Sequence, residues 1–429
     1  MLTRRQTLRA LGAAGLAAPV LAACGGGEPG DVTDAGADLR LVRAEVARSG
    51  GDPAAIPGAV DAMSGLLTDL WSVLDGDGNL ALSPFSIAVA LAMTANGAAG
   101  ATRSQMLDAL HLDSLARENT GLAALAQHLA GLAGTVDPGG GRHEDIALAS
   151  ANQLFGDRGT TWGTPFLTVL GKEYGAGMRV VDFRNHPEAG RISVNRWTAL
   201  QTHDRIPQIL PVGSVDPSTR LVLVNALYLK AAWADPFEKA ATQQGPFHLA
   251  DGSQVDVPMM SNAPEGAVLL TGPHHVAARV PYVGGTLAMT VALPEAGHEA
   301  EALAGLLAGL TDGGVPGVQV TMPRWTFRTP TDLRTPLMDL GMVRAFGAEA
   351  DFTPMSPDDP LYVSDVFHQV FIAVDEAGTE AAAATAVVMD HSSAAVGAHE
   401  LVLDRPFLFA IHDTAHGTPL FVGRVADPT

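Results

Sequence analysis

The sequence predicts an α+β fold gathered into one large domain. Apolar residues recur at helical spacing after about residue 58, strand patterns take over from Leu221, and no linker interrupts residues 59–429. Helices mostly first and strands mostly later argue against alternating βαβ units, and there is no internal repeat. Of the 429 residues, 47% are hydrophobic and 17% charged, so a sizeable core can form and a disordered chain is excluded.

The first element is a leader, residues 1–23. Arg4 and Arg5 precede an apolar stretch, Ala10 to Ala23, that is too short to span a bilayer and reads as an export signal. Thr3-Arg4-Arg5-Gln6-Thr7-Leu8 is similar to the twin-arginine type used for proteins exported already folded, and the general route stays open beside it. Leu21-Ala22-Ala23-Cys24 is similar to the bacterial lipobox, whose cysteine takes a diacylglyceryl group and becomes the mature N-terminus. Two acyl chains bury enough methylene groups for stable anchoring, at about 0.8 kcal/mol each. Cys24 is the only cysteine, so no disulfide can form within the chain. Residues 24–57, rich in Gly, Asp, Ala and Pro, are expected to be a flexible tether with a short helix over Leu39–Arg48.

The folded domain is expected over 58–429. Val60, Met63, Leu66, Leu67, Leu70, Trp71 and Leu74 lie on one helical face, which ends at the turn-forming Asp75-Gly76-Asp77-Gly78. Further helices are expected after Ser83-Pro84, near Ser104–Leu110, over Leu122–Leu132 and over Leu333–Leu340. Strands are expected at Leu221–Leu229, at the hairpin pair Ala277–Tyr282 and Leu287–Leu293, and at Val318–Met322. Tyr362–Val374, Glu400–Leu403, Phe407–His412 and Leu420–Val425 complete the set.

Lys plus Arg number 26 against 46 Asp plus Glu, a formal charge of −20 that repels phosphate backbones and argues against nucleic acid as a partner. Gly25, Gly27 and Gly30 match the dinucleotide fingerprint by letters but lack a preceding strand. Asp75 to Asn79 resembles the start of a calcium loop, yet Leu80 stands where Gly is needed and Ser86 where the closing Glu belongs. His274-His275 has no carboxylate or third histidine at ligand spacing nearby and reads as a loop. There is no nucleophile elbow, zinc-protease motif or phosphate loop, so no catalytic residue, metal or cofactor is expected.

A collinear set of motifs then identifies a family. Asn79-Leu80-Ala81-Leu82-Ser83-Pro84-Phe85-Ser86, with Ala90-Leu91 and Gly97, resembles the second helix of the serpins. Asn225-Ala226-Leu227-Tyr228-Leu229-Lys230, with Trp233, Pro236-Phe237 and Thr242, resembles their central strand and its exit. Met322-Pro323-Arg324, Leu340-Gly341-Met342, Ala350-Asp351-Phe352, Asp404-Arg405-Pro406-Phe407 and Pro419-Leu420-Phe421-Val422-Gly423 follow in family order, so the resemblance spans roughly Ala59 to Asp427. It implies three β-sheets and about nine helices in one α+β domain, with an exposed reactive-centre loop. It also implies a monomer that acts as an inhibitor of serine proteases rather than as an enzyme. A protease cuts the loop, and the freed segment inserts into the main sheet and traps the acyl-enzyme.

The resemblance assigns roles residue by residue. Glu376, Gly378, Thr379, Glu380, Ala381, Ala382, Ala383 and Ala384 form the hinge. Alternate residues of an inserted strand face the core, and here they are Thr379, Ala381, Ala383, Thr385 and Val387, all small or β-branched. Glu380 falls on the other face, toward solvent. By resemblance, Ser83, Ser86, Asn225 and His368 form a hydrogen-bonded shutter under the sheet, and Trp233 and Arg324 form the breach at its top, Arg324 pairing with Glu376. Counting from Glu376 in the family's manner gives a reactive bond between Ser392 and Ser393. The segment down to Pro406 is longer than usual, which leaves the register between Met389 and Ala395 with Met389 as an alternative. Neither Arg nor Lys lies in that window, so the expected partner is an elastase-like or subtilisin-like serine protease. The rival reading is a non-inhibitory serpin-fold carrier, which more often has a bulky, charged or Pro residue in the hinge. The remaining partner is a membrane, at the cell surface or periplasmic face, through the lipid on Cys24.

Overall fold

A computed structural model describes residues 39–74, 76–139, 142–380 and 399–429. The expected lipidation site Cys24, the hinge residues Ala381, Ala382, Ala383 and Ala384, and the candidate bond residues Met389, Ser392 and Ser393 lie outside the described residues.

Three sheets of nine, seven and four strands are present, with eight α-helices among the described residues. The main sheet runs Arg40–Val42, Met178–Val181, Gln153–Asp157, Leu221–Ala232, Asp365–Asp375 and Trp325–Asp332, with Arg142–Ser150 beside one half of Leu221–Ala232. Leu221–Ala232 is buried along its length except at Lys230, because each of its faces packs on something different. Leu221, Leu223, Leu227, Leu229 and Ala231 face the large core. Val222, Val224 and Ala226 face a second cluster with Phe183, Val194 and Trp197. The period-two alternation of a strand explains the split, and burial on both faces explains the continuous apolar run.

The second cluster is roofed by the helix Pro187–Gln201, which the sequence pattern does not predict. Two other helices, Thr164–Val169 and Glu299–Ala308, are likewise unforeseen. The helix Ile56–Val73 buries Ala59, Met63, Leu66, Leu67 and Leu70 as its spacing predicts. The expected helix over Leu39–Arg48 is instead the strand Arg40–Val42, paired antiparallel with Met178–Val180. The expected tether is therefore too long: residues 39–57 pack on the domain, with Leu39 buried and the backbone of Ser49 and Asp52 bonded to Lys172 and Thr120. In the second sheet, the hairpin partners His275–Pro281 and Leu287–Pro294 bring Glu295 beside His274. His274 is thus not the isolated loop residue its local sequence suggests.

Candidate functional site: the divided centre of the main sheet

The two central strands of the main sheet, Leu221–Ala232 and Asp365–Asp375, run parallel and pair from Val222↔Asp365 to Leu227↔Val370. Beyond that rung they diverge. At the far end Gly378–Thr379 lies between them, antiparallel to both: Thr379 stands opposite Ala231 on one side and Val374 on the other. The hinge therefore already occupies the top of the gap.

A tight turn delivers it there. The Asp375 carboxylate accepts hydrogen bonds from the backbone N–H of Ala377 at 2.8 Å and of Gly378 at 3.3 Å. Gly378 has φ +150°, and a Cβ at that position would sit 2.2 Å from the Ala231 carbonyl oxygen, so only glycine fits. Thr379 points to the core face and is 3% exposed. Its hydroxyl shares a 2.5 Å hydrogen bond with the hydroxyl of Tyr282, whose phenol burial keeps strictly protonated.

Tyr282 stacks on Trp233 at 4.6 Å with ring planes 4° apart. Trp233 in turn donates its indole N–H to the Asp375 carbonyl at 2.9 Å and its backbone N–H to the Ala377 carbonyl at 2.9 Å. Glu376 is buried, its Oε1 accepting from the Thr242 hydroxyl at 2.7 Å. The Arg324 guanidinium lies 3.7 Å from Glu376 Oε2, too far for a hydrogen bond, so the pair is electrostatic and loose.

Glu380 does not face open solvent. Its side chain is on the outer face, but Arg205, from the loop after the helix Pro187–Gln201, covers and pairs with it, leaving it 9% exposed. Burial raises the Glu380 carboxyl, against the lowering effects of Arg205, Lys230 and Arg328. Arg205 and Arg328 also both lie over the Phe371 ring, at 5.6 and 4.9 Å. The sequence hides this roof, as it hides the part of Tyr282 and Asp375 in the hinge support, since neither is marked by a local pattern.

Where the central strands still pair, Asn225 stands opposite His368. His368 Nε2 accepts the backbone N–H of Ser83 at 3.0 Å, so its proton resides on Nδ1, which donates to the Asn225 side-chain oxygen. Complete burial pushes the imidazole down to about 3, keeping it neutral. Ser83 caps the helix Pro84–Ala95, accepting from the backbone N–H of Ser86 at 3.3 Å. Asn225 Nδ2 and Ser86 Oγ have no hydrogen-bond partner among the described residues. Such unsatisfied buried groups each cost stability. The closed part of the seam is thus held by a polar cluster that is only partly satisfied.

The four shutter residues are brought together, as are Trp233, Arg324, Glu376 and Thr379. A family model described as "Serpin (serine protease inhibitor)" matches residues 64–428. Serpin-ZXA of Oryza sativa subsp. japonica is 38% identical over 365 residues, covering 82% of this chain and 90% of that protein. A leukocyte elastase inhibitor of Sus scrofa is 34% identical over 369 residues, covering 82% and 93%. The native state of tengpin, a thermophilic serpin, superposes with a TM-score of 0.78 at 26% identity, covering 91% of this chain and 99% of that one. The chain belongs to the serpin family, whose members are typically protease inhibitors.

Proposed function

We propose that this chain inhibits serine proteases as a suicide substrate. The serine hydroxyl of the target attacks the carbonyl before the bait bond, the new N-terminus leaves as an amine, and an acyl ester joins protease to inhibitor. The freed segment then enters the main sheet between Leu221–Ala232 and Asp365–Asp375 and drags the protease away before water can deacylate it. One observation carries this reading: Gly378–Thr379 already stands between those strands with Thr379 turned inward. A strand continued in that phase would turn Ala381, Ala383, Thr385 and Val387 to the core, and none is charged or too bulky.

The window Met389–Ala395 holds no Arg or Lys, and its candidate residues before the cut, Ser392 and Met389, support an elastase-like or subtilisin-like target with a shallow pocket. One relative is itself named a leukocyte elastase inhibitor. Incubation with such a protease should give a covalent band that survives SDS, and mass spectrometry should map the cut between Met389 and Ala395. Simple turnover by every protease of this type, with no covalent band, would leave the carrier reading standing.

The leader supports export and anchoring through lipid on Cys24, at the outer face of a bacterial membrane. Cys24→Ser should shift the protein from the membrane fraction to a soluble or unprocessed form. A wild-type protein found soluble after export would refute the anchor.

A further inference from the structure

The second sheet carries a cluster that protease inhibition does not use. His274 lies in the tight turn between the strands Val268–Gly272 and His275–Pro281. Glu295 follows the strand Leu287–Pro294, and His298 is the residue preceding the helix Glu299–Ala308. The rung His275↔Pro294 sets His274 beside Glu295, and the backbone N–H of Glu295 donates to the His274 carbonyl at 2.8 Å. The N–H of His298 donates to the Glu295 carbonyl at 3.1 Å, so the three residues share one backbone framework.

Their side chains lie close together. His274 Nδ1 is 2.9 Å from a Glu295 carboxylate oxygen, and one donor atom from each of the three residues lies within 4.8 Å of the others. The two imidazoles stack at 4.0 Å with planes 8° apart. His298 Nδ1 makes no hydrogen bond, Glu301 Oε1 being 3.6 Å away. His274 holds φ +60°, a left-handed conformation usually left to Gly or Asn and uncommon for a side chain of this size.

We propose that His274, Glu295 and His298 form a binding site for a divalent transition metal of borderline softness, with Zn²⁺ the physiological fit. Two imidazoles and one carboxylate are a donor set that zinc accepts, leaving a further position for water. Parallel rings cannot both aim their lone pairs at one ion, so binding tilts them apart from the stack. The nearby helix start carries a partial positive charge that opposes a cation. The carboxylates of Glu295 and of Glu301, whose Oε1 lies 3.6 Å from His298 Nδ1, offset it. Glu299 is not free to help, because it accepts from Arg424 at 2.7 Å and from the Trp71 indole at 3.0 Å. The ion would tie the hairpin turn to the helix start.

The test is calorimetric titration of the chelator-treated, full-length chain, free of any histidine tag, with ZnCl₂ alone. One equivalent should bind per chain and raise the melting temperature. His274→Gln and His298→Gln should each weaken that event at least about tenfold, whereas His416→Gln, on the separate His128–His416 pair, should leave it unchanged. Co²⁺ should give visible d–d absorption in the wild type that each of the first two variants loses, a readout that folding defects of a variant cannot imitate in the wild type. Absence of both the heat and the cobalt bands in the wild type, or binding that survives both substitutions, would overturn the site.

Discussion

At Thr379 one side chain meets two demands: it must fit between Ala231 and Val374, and its hydroxyl must match that of Tyr282. Arginine there meets neither. Thr379→Arg would bury an unpaired guanidinium among the hinge support, at a cost of several kcal/mol. Insertion would slow while deacylation continued, so the variant should be cleaved as a substrate with its covalent complex largely lost. Unchanged inhibition by the variant would show that Thr379 does not lead the inserting strand. Thr379 can be singled out from sequence only through the family resemblance, which sets the strand phase in which every second residue is small or β-branched. Tyr282 cannot, since it meets Thr379 across 97 residues of chain and sits at the end of an ordinary apolar strand. The same holds for His274, whose partners arrive only when the strands of the second sheet pair.

The hinge turn behaves as an element because its backbone, not its side chains, sets its course. At Gly378 a methyl group would meet the Ala231 carbonyl oxygen at 2.2 Å, and backbone cannot yield as a flexible side chain can. Gly378→Ala should therefore expel Gly378–Thr379 from between the central strands of the uncleaved protein. Faster hydrogen exchange at Thr379 and Glu380, whose N–H now donates to the Ala373 carbonyl at 2.8 Å, would report it. Exchange as slow as in the wild type would mean that the turn tolerates the methyl group. The strands flanking this gap are legible in the sequence through their apolar runs. The helix Pro187–Gln201 above them is not, because its buried face carries Arg191 and Asn195 among the apolar residues. Both side chains donate to the Leu210 carbonyl, so burial there depends on a distant loop rather than on hydrophobic spacing. That helix also packs over Val222, Val224 and Ala226.

For the whole molecule, the divided sheet amounts to an unfinished structure. A segment inserted as a middle strand gains ladder hydrogen bonds on both sides, at about 0.5–1.5 kcal/mol net per bond. Ordering its backbone opposes this by about 1–2 kcal/mol per residue, so the two nearly cancel residue by residue. Burial of the inward side chains Ala381, Ala383, Thr385 and Val387 then favours insertion. On the proposed mechanism this exchange waits for the cut. On that mechanism the native form would be a kinetic trap, and its melting would report a rate rather than an equilibrium. The polar cluster suits such a state: neutral His368 links Asn225 on the neighbouring strand to Ser83 at the helix start, while Asn225 Nδ2 and Ser86 Oγ stay unsatisfied beside it. Cutting between Met389 and Ala395 should accordingly raise the melting temperature by tens of degrees, although a cut through a folded chain ordinarily lowers it. Scanning calorimetry of intact and loop-cleaved protein at two heating rates tests both halves of the argument. The intact form should melt lower, at a temperature that moves with scan rate, and the cleaved form higher. A cleaved form that melts at or below the intact one would rule out strand insertion, and with it the inhibitory mechanism.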